Sequence, residues 1–112
     1  MTSNEFRKIA LEIPGAIESA HMNHPDFRIA GKVFATLGYP DETSGMVSLT
    51  PEQQRIFIDK TPAAFQPCNG AWGHRGATNV KLAAVTKTLL KSALSAAAEN
   101  AALKSKPKIK RR

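Results

Sequence analysis

Apolar residues first recur at helical spacing, with Phe6, Ile9, Ala10 and Ile13 forming one stripe. Ahead of them, Thr2-Ser3-Asn4-Glu5 fits a capping box with Thr2 as N-cap and Glu5 at N3. Pro14-Gly15 then stops the helix. Residues 16–22 read as a weak strand, and His21-Met22-Asn23-His24-Pro25 turns it into residues 26–37, around which the rest is organised. Those residues predict two strands folded back at Gly31-Lys32, where glycine as first central residue suits a type II′ turn. That turn sets Ile29 opposite Phe34 and Phe27 opposite Thr36, so Phe27, Ile29 and Phe34 share a face while Arg28 points away. A two-stranded ribbon is marginal in water, so other elements must cover its apolar face.

Residues 38–45 have the composition of a loop, and Val47 and Leu49 alternate inward from Ser48. Thr50-Pro51-Glu52-Gln53 is a strong helix start, combining an N-cap threonine, proline at N1 and a capping glutamine. The helix runs to about residue 59, before Pro62. After Phe65-Gln66-Pro67-Cys68, residues 69–76 read as a loop. Residues 77–82 read as a strand with Thr78, Val80 and Leu82 on one face and Asn79 and Lys81 on the other. Residues 84–103 are strong helix formers, with Val85, Leu89, Ala93 and Ala97 as a stripe that Leu90 and Leu94 widen. Tightly linked strands with helices at the two ends predict an α+β fold. The expected form is an antiparallel sheet with the N- and C-terminal helices packed on one face. Residues 1–103 form one domain, and residues 104–112 a flexible basic tail.

Charge alters the picture less than its total suggests. The 112 residues carry a net charge of +7. Lys104, Lys106, Lys108, Lys110, Arg111 and Arg112 supply six of these charges within the last nine positions, leaving +1 for residues 1–103. The domain is near neutral and the tail is the basic element. A single cysteine, Cys68, leaves no internal disulfide and fits a reducing compartment. No run approaches the ~18 apolar residues of a membrane span, and the N-terminus lacks a signal-peptide layout. A cytoplasmic, membrane-free monomer is expected.

Candidate chemistry is sparse. Arg28, Asn79 and Lys81 project from the sheet face away from the core, Lys32 sits at a hairpin tip, and His74 and Arg75 lie on a loop. Tips and loops of this kind can contact DNA phosphates, and the tail can release counterions on meeting a polyanion. The competing reading is that all of these are ordinary solvating charges. No element resembles a base-reading helix or an RNA-stacking aromatic sheet. Trp72 is expected at the core or rim beneath its loop, and the alternative function is a ligand or protein groove at Trp72 and His74. His21, His24 and Asp26 could supply metal ligands, but lack a paired cysteine set, so no metal is expected. Cys68 and His74 do not make a catalytic spacing, and no phosphate-binding glycine loop is present, so no enzyme activity and no cofactor are expected.

Four short pieces stand in a familiar order: Ile13-Pro14-Gly15-Ala16-Ile17-Glu18; Asp26-Phe27-Arg28 with Gly31-Lys32-Val33-Phe34-Ala35; Gly70-Ala71-Trp72-Gly73 with Gly76-Ala77-Thr78; and the helix from Leu89 to Asn100. Over roughly residues 5–103 the chain resembles the MmcQ/YjbR family. The resemblance implies a two-layer sandwich similar to the frataxin (CyaY-like) fold and a double-wing, DNA-binding role. It carries over no agreed base-reading residues and does not reach the tail. The family's closing helix often bears a large aromatic where this chain has Ala96-Ala97-Ala98.

Overall fold

The computed structural model describes residues 1–38 and 41–105. Helix α1 (Ser3–Leu11) starts at the expected capping box, Thr2 Oγ1 accepting from Glu5 N–H and Glu5 Oε1 accepting from Thr2 N–H. Phe6, Ile9 and Ala10 are buried. Strands β1 (Ile17–His21), β2 (His24–Ile29), β3 (Lys32–Leu37) and β4 (Ser44–Ser48) follow. Helix α2 (Pro51–Lys60) begins at the second capping box, formed by Thr50 and Gln53. Strand β5 (Phe65–Pro67), helix α3 (Gly70–His74), strand β6 (Ala77–Lys81) and helix α4 (Lys87–Ser105) complete the chain.

The six strands form one antiparallel sheet in the order β1-β2-β3-β4-β6-β5. Helix α4 crosses β2, β3 and β4 and lies against α1, as an α+β fold with both terminal helices on one face requires. Phe27, Ala35, Val47 and Thr78 are neighbours on the helix-covered face, all out of solvent contact. Phe6 of α1 meets Phe27 with ring centroids 6.0 Å apart, and Phe57 of α2 meets Phe65 at 5.2 Å. Asn100 ties the layers together, its Nδ2 donating to Ser48 O at 3.2 Å and to Gln53 Oε1 at 2.7 Å.

The β2–β3 hairpin departs from the expected register. Its turn is Ala30-Gly31, both with positive φ (51° and 81°), which is the type I′ pattern rather than a II′ turn at Gly31-Lys32. Ile29 therefore pairs with Lys32 and Arg28 with Val33, while Phe27 pairs with Ala35 and Asp26 with Thr36. The register shift between Phe27 and Arg28 leaves Phe34 as the extra residue, a β-bulge. A one-residue slip would otherwise turn the apolar set of β3 to the wrong face. The bulge lets Phe27, Phe34, Ala35 and Leu37 all be buried.

Other differences are smaller. The β1–β2 turn narrows to Met22-Asn23, and His24 and Pro25 join β2. Helix α4 starts at Lys87, with Val85 buried in the turn before it, and runs on to Ser105. Its inward residues are Leu90, Ala93, Leu94, Ala97, Ala98 and Ala101.

Candidate functional site

Strand direction decides which candidate residues meet. Because β3 runs antiparallel to β4, and Ser48 of β4 pairs with Ala77 of β6, Lys32 and the start of β6 lie at the same end of the sheet. Strands β3 and β6 are two strand spacings apart across the sheet, about 10 Å. Helix α3, just before β6, places His74 and Arg75 at that end, both exposed.

Residues 69–76 were expected as a plain loop with Trp72 at the core or rim beneath it. Instead they form a one-turn helix with Trp72 70% exposed. Gly73 is the reason. A Cβ there would lie 1.8 Å from the Cys68 carbonyl oxygen, so the helix docks through its glycine and turns the indole outward. From α2, the Gln54 side-chain amide donates to Gly73 O and to Ala77 O, each at 3.0 Å, and locks α3 to β6. Gly76 seals the joint, its Cα packed so closely on Leu49 and Thr50 that no side chain fits.

Between α2 and α3 runs a shallow groove of about 330 Å³, lined by Pro51, Gln54, Arg55, Ile58, Pro67 and His74 among others. Arg55 was not picked out from the sequence. It lies in a helix of which Phe57 is the buried residue, and nothing in the local sequence marks it as lining the groove. Among the described residues, Lys32, Arg55 and Arg75 form no ion pair. Glu52, in the first turn of α2, is an exposed acid near this end.

The other candidates are placed elsewhere. Arg28 projects from the sheet as expected, but its guanidinium is engaged by Asp26, Nε donating to Oδ1 at 2.8 Å and Nη2 to Oδ2 at 3.0 Å. His21 Nδ1 lies 2.6 Å from the same carboxylate. These hydrogen bonds, Arg28's first, hold the Asp26 carboxyl below its ordinary range against the opposing effect of burial. Asp26 belongs to a row on the face opposite the core, Ser19, Asp26, Thr36, Met46, Asn79 and Gln66, one residue from each strand. Asn79 Oδ1 accepts from the Cys68 thiol at 3.1 Å. Lys81 pairs with Ser44 at the far end of β6 from Arg75, and Lys104 is in the last turn of α4. Lys106, Lys108, Lys110, Arg111 and Arg112 lie outside the described residues. Among the described residues no group of three His, Cys, Asp or Glu side chains could hold a metal ion, and no helix is long and apolar enough to cross a membrane.

The YjbR family model matches residues 11–97. The chain belongs to the YjbR family. The match spans the sheet, α2, α3 and most of α4, so the candidate residues Lys32, Arg55, His74 and Arg75 fall within the matched region. The fold is also similar to the crystal structure of a Deinococcus radiodurans protein with a DUF419 domain. That likeness has a TM-score of 0.68 at 17% identity and covers 86% of this chain and 75% of the other. A search of curated proteins finds no match.

Proposed function

We propose that this YjbR domain is a non-enzymatic DNA-binding protein, directed to phosphate and with little or no sequence preference. The observation that carries the reading is the placement of Lys32, at the start of β3, and of His74 and Arg75, at the end of α3, at the same end of the sheet. Arg55 adds a further cation in the adjoining groove. Three charged side chains that form no ion pair among the described residues, Lys32, Arg55 and Arg75, correspond to about three phosphate contacts, and hence to a log–log salt slope of about −2.7 on duplex DNA. A body with net charge near +1 binds weakly on this basis, and the basic residues from Lys104 onward add a separate, sequence-blind attraction.

The test is fluorescence anisotropy of a labelled duplex across several salt concentrations. It compares the full chain with a variant in which Lys106, Lys108, Lys110, Arg111 and Arg112 are glutamine. A negative slope that survives in the variant supports binding by the folded body. Loss of all binding in the variant assigns the affinity to the C-terminal charges alone and removes the proposal.

A second reading makes the same end a small-ligand or protein-interaction module. The apolar lining of the groove by Pro51, Ile58 and Pro67, beside an exposed Trp72, favours it. In that case Trp72→Ala abolishes capture of the ligand while neutralising Lys32 and Arg75 does nothing.

A further inference from the structure

We infer that this end of the sheet selects single-stranded over double-stranded nucleic acid, with Trp72 stacking on an unpaired base while Arg75 and Lys32 take phosphates. The inference rests on the phosphate-directed reading above and specifies which form of nucleic acid is bound.

Trp72 is the only tryptophan in the chain, and 70% of it faces water. A large aromatic ring left in solvent forgoes the burial that drives folding. Among the described residues its ring makes no aromatic contact and its indole N–H no hydrogen bond. The helix that bears it is nonetheless held firmly, by the Gly73 contact with Cys68 and the two Gln54 hydrogen bonds. An aromatic presented on a fixed support loses little freedom when a flat ligand covers it.

The neighbours of Trp72 point to the ligand's chemistry. Arg75 follows three residues later as the C-cap of α3, still in helical conformation, a spacing that sets Cβ atoms about 5–6 Å apart on one side of a helix. That arrangement offers one base a stacking surface and the adjoining phosphate a cation. No other large hydrophobic is exposed on α3 or on the β2–β3 turn, and the exposed polar side chains that end α3 and begin β3 are His74, Arg75 and Lys32. In a duplex both faces of an interior base are covered by its neighbours, so stacking on Trp72 requires a strand with free bases.

Because the chain has one tryptophan, its intrinsic fluorescence reports on this site alone. The experiment titrates the full-length protein with a short oligothymidylate and with a duplex of equal phosphate count, reading Trp72 emission and the anisotropy of the labelled nucleic acid. The expected result is quenching by the oligothymidylate and tighter binding to it than to the duplex. Trp72→Ala then weakens single-strand binding about tenfold and leaves duplex binding unchanged, while Trp72→Phe keeps most of the preference. Circular dichroism melts confirm that both variants fold. Equal affinity for the two forms, with Trp72→Ala changing neither, overturns the stacking inference and leaves the phosphate-directed reading standing. No binding to either form overturns both and leaves the groove to a protein or small-molecule ligand.

Discussion

Arg28 grips both carboxylate oxygens of Asp26, at 2.8 and 3.0 Å, on the sheet face opposite the core. Asp26 has no solvent contact, and its carboxyl is held below the ordinary value of 3.8 in the folded state. A lowered carboxyl value means that its contribution to stability is full above the ordinary range and is lost as pH falls through the lowered one. Asp26→Asn is expected to cost about 1.5–3 kcal/mol near neutral pH, the range for hydrogen bonds to a charged group. It should also flatten the acid limb of the stability profile. Urea denaturation between about pH 2 and pH 7 checks both.

Gly73→Ala places a methyl where the Cys68 carbonyl stands. The expected loss is about 2–4 kcal/mol, with a changed Trp72 emission as α3 lifts from β6. Gly70→Ala is the control. Its Cβ meets nothing within 4 Å, and only its positive φ of 71° is strained, so about 1 kcal/mol is expected and the emission stays as it was.

Neutralising Lys32 or Arg75 to glutamine should each lower the duplex salt slope by about 0.9. Lys81→Gln, at the opposite end of β6, should leave the slope unchanged. Anisotropy titrations at several salt concentrations separate the two ends. An equal effect of Lys81 would move the interface to the sheet face.

Ala30 takes a left-handed φ of 51° in a turn type that favours Asn-Gly. Ala30→Asn is expected to stabilise the fold by about 0.5–1 kcal/mol, read as a rise of a few degrees in thermal midpoint.

Burial pushes the Cys68 thiol up to about 11 from an ordinary value of 9.0. Thiolate is scarcer by roughly a hundredfold at mildly alkaline pH, so iodoacetamide should label the native protein that much more slowly than the urea-unfolded chain.

What could be read along the chain was local. Thr2 with Glu5 and Thr50 with Gln53 mark two helix starts correctly, because a capping box closes within one turn. The alternation of Thr78, Val80 and Leu82 gives the buried face of β6, because a strand's sidedness follows from its own pleat. The short pieces spread over residues 13–100 point to the family, since each lies within a few residues of itself. The register of the central hairpin was not legible. A glycine suits either turn, and the choice of Ala30-Gly31 depends on a bulge that keeps Phe27 and Phe34 in a core completed by α1 and α4. The site was half legible for the same reason. Lys32 and Arg75 are recognisable as cations and His74 as a loop residue, but their placement at one end follows from strand order, which pairs segments far apart in sequence. Arg28 reads as a free cation until β2 is seen to set Asp26 beside it on the same face, with His21 of β1 on the same carboxylate. Trp72 reads as a core or rim residue until Gly73 is seen against Cys68, because hydrophobicity predicts burial only where no tighter backbone contact claims the inward position.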